Sequence, residues 1–218
     1  MTMESVKGES VAAIREMTAE DLPAVAIAHM QAFPGSFITR MGKGASERYY
    51  RWQLEGPHDH FPIIAVMDGR VVGFCVGGIS RGSLKGYLKK YKFYLAAQIA
   101  LHPSIIFNAG FFGRSATAIR SFFGKDKMQD KNTCIPGVRR ESFGILAICV
   151  IPEAQGTGIA KELMVLSEAE AVRRGFSAMH LTVASENGRA IRFYEKLGYS
   201  VKDAGLKRGG TFMEKPLR

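Results

Sequence analysis

An apolar run, Gly144-Ile-Leu-Ala-Ile-Cys-Val-Ile151, passes through Pro152 into Gln155-Gly-Thr-Gly-Ile-Ala-Lys161 and on into an amphipathic stretch. That order reads as a strand, a glycine turn and a helix start, a layout able to hold a phosphate. The first N–H groups of a helix lack intrahelical partners, and aligned peptide dipoles place partial positive charge there. Gly156 and Gly158 let the backbone approach a ligand and take positive φ. No Gly-Lys-Ser/Thr ends the turn and no Gly-x-Gly-x-x-Gly spacing occurs, so neither a Walker loop nor a dinucleotide fold is read. Plain capping geometry is the competing reading of the two glycines. A second group, Asn187-Gly-Arg-Ala-Ile-Arg-Phe-Tyr194, sets an N-capping side chain and a phenol about two turns apart on one helix face.

Taken together, these segments resemble the GCN5-related N-acetyltransferase (GNAT) superfamily. The likeness is carried by Val150-Ile-Pro152, Gln155-x-x-Gly158-x-Ala160, Asn187 with Tyr194, and Leu197-Gly198-Tyr199, and it is close over residues 143 to 201. Ile14-Arg15-Glu16 followed by Thr18-Ala-Glu-Asp21 resembles the family's opening strand and first helix more weakly. The resemblance implies an α/β (α+β) fold, one domain over residues 1–218. Its central sheet would be mixed, mostly antiparallel and splayed, flanked by helices. It also implies an acetyl-CoA-dependent N-acetyltransferase with acetyl-CoA as co-substrate. In such proteins the strand matching Ile148-Cys149-Val150 pairs with the pantetheine arm as an added strand. The pyrophosphate would sit on N–H groups of Gly156, Thr157, Gly158, Ile159, Ala160 and Lys161, with Gln155 fixing the loop. Asn187 would add a contact to the cofactor arm. Tyr194, with a reference pKa of about 10, would reprotonate the leaving sulfur as general acid. The backbone N–H near Val150 would stabilise the carbonyl oxygen as charge develops on it.

The general base is where this chain departs from the pattern. Many relatives carry a glutamate eight residues before the strand's proline, here Gly144, and peptide N-terminal acetylators carry one five before the asparagine, here Thr182. Glu141 is the candidate retained, although three residues upstream it falls on the opposite strand face unless a bulge realigns it. His29, His180 and Glu186 are further candidates, each weighed against an ordinary surface or helix role, and a water chain is an alternative. The acceptor expected is a primary amine on a small molecule. A looser likeness of Gln31–Gly42 and of the insertion to amino-sugar and surface-polysaccharide members points to a sugar amine. Arg81, Arg114 and Arg120 are candidates to hold an anionic part of it or are solvated helix charges. Two alternatives stand beside this: a protein N-terminal or lysine acetyltransferase, and a non-catalytic CoA-binding or membrane-associated module.

The elements that position these residues follow from periodicity. Val11–Met17 reads as a strand, and Thr18 with Asp21 as an N-cap pair for a helix carrying Leu22, Val25, Ile27 and Met30 and stopping near Pro34. A second helix covers Ala45–Leu54. Ile63–Met67 and Val71–Ile79 form a hairpin at Asp68-Gly69. Phe143–Ile151 is the apolar strand. Gly158–Arg174 is a helix burying Ile159, Leu163 and Leu166, and Gly175 is its C-cap. Ala178–Ala184, Tyr199–Lys202 and Thr211–Lys215 complete the strands. Between the third and fourth strands lies a helical insertion at about 81–140, where Leu84, Leu88, Tyr91 and Leu95 recur at helical spacing beside Lys85, Lys89 and Lys92. Two more short helices are expected around Ile105–Phe112 and Ile119–Phe123. These aromatics pack over the sheet edge or a dimer partner, wall a substrate pocket, or touch a membrane surface.

A net charge of +10 suits a partner rich in phosphate but does not by itself choose among cofactor, nucleic acid and membrane. Solvated helix faces account for most of the basic residues, so nucleic acid is not the expected partner. Cys75, Cys134 and Cys149 are unclustered and read as buried reduced thiols, which points to a cytoplasmic setting. The first residues lack an apolar signal core, so secretion is not expected. No metal is expected, because the five histidines and three cysteines show no ligand spacing. A homodimer is what family likeness would favour.

Overall fold

The computed structural model describes residues 12–79, 83–101, 142–206 and 210–217. Strand β1 (Ala13–Glu16) pairs antiparallel with β2 (Asp59–Met67), from Ala13↔Val66 to Glu16↔Ile63. Asp21 secures the turn after β1: it accepts from the Thr18 N–H at 2.8 Å and from both Arg15 guanidinium nitrogens at 2.7 Å. The Arg15 bonds, reinforced by Thr18, hold the Asp21 carboxyl down to about 2. Helix α1 (Leu22–Ala32) follows, then α2 (Phe37–Arg40), capped by Ser36 Oγ accepting from Thr39 N–H, and α3 (Lys43–Glu55).

The β2–β3 hairpin turns where expected, with Asp68 at φ 52 and Gly69 at φ 74, the paired positive values of a type I′ turn. Strand β3 (Arg70–Ile79) then crosses the sheet. β2 begins at Asp59, four residues before the expected Ile63, and takes in Pro62. Proline is tolerated there because β1 ends opposite Ile63, so the Pro62 position needs no donor toward that edge.

Beyond the insertion come β4 (Ser142–Val150), α6 (Ile159–Arg173), β5 (Ala178–Ala184), α7 (Gly188–Lys196), β6 (Ser200–Leu206) and β7 (Gly210–Pro216). The sheet has seven strands in the order β1-β2-β3-β4-β5-β7-β6, antiparallel throughout except for the parallel β4–β5 pair. One face is covered by α6, whose Ser167 hydroxyl donates to Cys75 Sγ at 3.4 Å. The other is covered by α1 and α3, where Tyr50 meets Phe74 edge-on with ring centroids 5.0 Å apart. Tyr50, Phe74, Phe143, Leu163 and Met179 are fully buried, each contributing roughly 1.5–3 kcal/mol of apolar burial.

Two helix faces differ from the periodic reading. Ile27 is 45% exposed, and α1 instead buries Leu22, Val25, Ala26, Ala28 and His29. Leu166 is 42% exposed, and α6 buries Ile159, Leu163, Met164, Ser167 and Ala171. Small and polar side chains fill the contact lines because the helices lie close to the sheet, and the larger apolar residues are displaced outward. Only the start of the insertion is described. It forms two helices, α4 (Ser83–Lys90) and α5 (Lys92–Leu101), rather than one. Leu84 is exposed, and Tyr87 and Leu95 are the buried anchors. Tyr87 reaches across to donate to the Ala45 carbonyl at 3.1 Å, and Trp52 donates to the Ser83 carbonyl at 2.8 Å, which fixes the rotation of α4 against α3. The helices expected around Ile105–Phe123, together with Arg81, Arg114, Arg120 and Cys134, lie outside the described residues.

Candidate functional site

β4 and β5 run side by side only from Ser142↔Ala178 to Ile145↔Leu181. Past that point they part. Ala147 to Val150 stay bonded to β3, and Thr182 to Ala184 stay bonded to β7, so a gap opens between two strands that are each paired on the far side. A bulge marks the parting, since Val76 pairs with Ala147 while Gly77 pairs with Ile145. The Ile151 N–H donates to the Val72 carbonyl on β3 at 2.9 Å. By strand alternation the N–H groups of Val150 and Ile148 therefore point the other way, into the gap. Cys149 takes the intervening position, and its buried side chain lies toward α1, with Sγ 3.9 Å from the Ala28 carbonyl. Burial pushes the Cys75 thiol up to about 12 and Cys149 higher still, so neither is a thiolate nucleophile at neutral pH.

The glycine loop lies at the open end of this gap. Gln155 Nε2 donates to the Val150 carbonyl at 3.2 Å, and Thr157 Oγ1 donates to the Ala154 carbonyl at 2.7 Å, tying the loop to the strand end. Gly156 and Gly158 sit at φ 87 and φ 90, with open space where a Cβ would stand, so backbone conformation is what demands glycine here. The N–H groups of Lys161 and Glu162 both donate to the Gly158 carbonyl, at 2.9 and 3.1 Å. Those of Gly156, Thr157, Gly158, Ile159 and Ala160 have no backbone partner among the described residues. Five consecutive N–H groups at this helix start are thus open among the described residues, while the Lys161 N–H is taken up inside the first turn. An open groove continues from Gly158 past Lys161, Glu162, Val165 and Leu166 to Ile14 of β1 and the preceding Ala12.

Asn187 caps α7, its Oδ1 accepting from Ala190 N–H at 3.1 Å, and the residue is otherwise exposed. Tyr194 lies on the buried face of α7, 8% exposed, against Phe193 and Tyr199. Burial raises its phenol well above the ordinary tyrosine value, with the Cys75 thiol adding to the effect, so it is a neutral hydrogen-bond donor at neutral pH.

Among the candidate bases, Glu141 lies outside the described residues. His29 is buried in the packing between α1 and α3 with both ring nitrogens committed, Nδ1 to Tyr50 OH at 2.7 Å and Nε2 to Ser36 Oγ at 3.0 Å. Burial holds it at about 4. Glu186 is exposed in the turn before α7. His180 is half-buried on β5, with Nδ1 2.7 Å from Ser142 Oγ. Ser142 was not singled out by the sequence, where a lone serine at a strand start carries no signal. Among the described residues no group of three or more His, Cys, Asp or Glu is placed to hold a metal.

The profile of the acetyltransferase (GNAT) family matches residues 128–199, the stretch that builds the gap, the loop and α7. Over that stretch the chain is similar to the GNAT family. It is 32% identical over 57 residues to a mycothiol acetyltransferase of Corynebacterium urealyticum, covering 26% of this chain and 17% of that protein. It is 35% identical over 65 residues to an acetyltransferase of Sodalis glossinidius, covering 30% of this chain and 46% of that protein. The matches thus span less than half the length of either curated relative. Among solved structures, the PaiA N-acetyltransferase of Thermoplasma acidophilum, in complex with coenzyme A, superposes with a TM-score of 0.58 at 14% identity. The alignment covers 94% of this chain and 99% of that one. The yncA protein of Salmonella typhimurium, solved with acetyl-CoA, gives 0.56 at 19% identity, covering 96% and 95%. At these identities the superpositions establish the fold, which this chain shares with those acetyltransferases. Among the described residues no helix is long and apolar enough to cross a membrane.

Proposed function

We propose that this protein transfers the acetyl group of acetyl-CoA to a primary amine of a small molecule, by direct attack within a ternary complex. The observation that carries the reading is the parting of β4 from β5 next to a helix start with five open amides. The diphosphate of the cofactor fits the amides of Gly156 to Ala160, and its amide-rich arm fits the free edge of β4 along Ile148 to Val150. Asn187 borders the far side of the gap, where its amide nitrogen is available to the same arm.

The attacking nitrogen adds to the thioester carbonyl, and charge develops on the oxygen, which the Val150 N–H is aimed to receive. Collapse breaks the C–S bond. Because burial raises the Tyr194 phenol, it serves the departing sulfur first as a hydrogen-bond donor, and full proton transfer is completed with solvent. An amino sugar is the acceptor this reading favours, on the looser likeness of Gln31–Gly42. Isothermal calorimetry with acetyl-CoA, followed by thiol release with glucosamine, spermidine and a peptide with a free N-terminus, tests it. Binding with turnover of glucosamine is expected. Turnover of the peptide alone would replace the small-molecule acceptor with a protein one, and no heat with any CoA species would end the proposal.

A further inference from the structure

We propose that His180 is the proton acceptor for the incoming amine, held by Ser142 in a clearing that the missing side chain of Gly144 leaves on the sheet. The inference rests on the acetyl-transfer reading above. His180 lies directly beside Gly144 in the last paired stretch of β4 and β5, one pair before the strands part. A Cβ on residue 144 would stand 2.9 Å from His180 Nε2 and 3.1 Å from Cε1, so glycine there is what gives the imidazole its place. The ring is steadied by Ser142 Oγ at 2.7 Å from Nδ1 and by Phe212, with ring centroids 5.7 Å apart.

The contrast with His29 decides the role. His29 spends both nitrogens on Tyr50 and Ser36, whereas His180 spends Nδ1 and leaves Nε2 without a partner among the described residues. When Nδ1 donates its hydrogen to Ser142 Oγ, Nε2 carries a lone pair at the end of the ring nearest Gly144. Burial holds the imidazole below its ordinary value, so it is neutral and able to accept at pH 7. Of the described neighbours on β4 and β7, the titratable one on this face is Glu214, the cross-strand partner of His180, whose Oε2 is buried with no hydrogen-bond partner among the described residues. Met179, the preceding residue on β5, points to the other face, where it meets the Tyr199 hydroxyl at 3.6 Å and Tyr199 packs on Tyr194. His180 and Tyr194 thus flank the gap from opposite faces, one for the entering nitrogen and one for the leaving sulfur.

In the step, the amine nitrogen bonds to the carbonyl carbon and one N–H proton passes to His180 Nε2. The C–S bond then breaks, and the proton returns through water to the thiolate, giving amide and free thiol with a neutral imidazole. Two measurements test this. Nitrogen-15 NMR of the whole protein at pH 7 is expected to show Nδ1 protonated and Nε2 bare, and the opposite tautomer would overturn the assignment whatever the activity. With acetyl-CoA and the best acceptor of glucosamine, spermidine and a free-amino peptide, His180→Gln should lower kcat about 100-fold while acetyl-CoA affinity by calorimetry stays within about twofold. Added imidazole, or Gly144→Glu in a His180→Ala background, should recover part of the rate, because each places a base in the vacated space. An unchanged kcat in His180→Gln overturns the proposal. So does a loss of rate that follows a loss of thermal stability and is rescued by neither route. A wild type that turns over none of the acceptors removes the acetyl-transfer reading and this inference together.

Discussion

The aromatic wall between α1, α3 and α4 and the cleft between β4 and β5 put their polar groups to opposite uses. In the wall, His29 bonds Tyr50 and Ser36, Tyr87 bonds the Ala45 carbonyl, and Trp52 bonds the Ser83 carbonyl. Those groups are turned on one another and buried. In the cleft, five successive amides and the outer edge of β4 past Ile145 are left without backbone partners among the described residues. Unspent hydrogen-bonding capacity costs stability when it is buried dry, so it persists where water or a ligand can reach it. The wall therefore holds the fold and the cleft is the proposed seat of the cofactor, and substitutions in each should act on different observables.

The largest separation is expected from Gly158→Asp. It forces a side chain into φ 90 and sets negative charge at the amides, so calorimetric affinity for acetyl-CoA should fall at least about 100-fold while the protein stays folded. Retained affinity would move the diphosphate elsewhere. Next, Tyr194→Phe should lower turnover by about 10- to 100-fold with little change in cofactor affinity, and equal turnover would remove the phenol from the chemistry. On the wall side, Tyr50→Phe leaves His29 Nδ1 buried without its partner. Urea unfolding should show a loss of about 1–3 kcal/mol with acetyl-CoA affinity unaltered. A drop in affinity of similar size would mean that the two regions are coupled.

The smallest effect is on acid stability. His29 is held at about 4 in the fold, below its unfolded value of about 6.5. Folding there expels a proton, so its contribution is complete above pH 6.5 and declines as pH falls toward 4. Asp21 behaves alike lower down: held at about 2, it contributes above its ordinary value of 3.8 and is lost as pH drops through that interval. Urea midpoints measured between pH 7 and about 2 should fall in two stages, and Asp21→Asn should flatten the lower one alone. A flat profile across both would show that neither His29 in the wall nor Asp21 at the turn after β1 contributes measurably to stability.

The cleft was the more legible region in sequence because its chemistry is local. Gly156, Gly158 and Asn187 are demanded by backbone geometry within a few residues of themselves, and Asp68-Gly69 specified its hairpin for the same reason. The helix faces were less legible. Ile27 and Leu166 match the helical period yet lie outside, because how closely a helix approaches the sheet is set by small residues such as Ala28 and Ser167 on the contact line. The seating of the first insertion helix likewise depends on distant partners, Trp52 bonding Ser83 and Ala45 bonding Tyr87, which no local window contains.

By itself, then, the chain's order of residues determined the strand, glycine turn and helix that make an anion-binding end, since each depends on dihedral preferences and orphaned amides that neighbours alone create. The tertiary structure decided where β4 leaves β5, which face each histidine occupies and whether its second nitrogen is spent. Those outcomes depend on pairing between residues 36 apart in the chain, as between Gly144 and His180, and pairing of that kind is settled only when the whole sheet assembles.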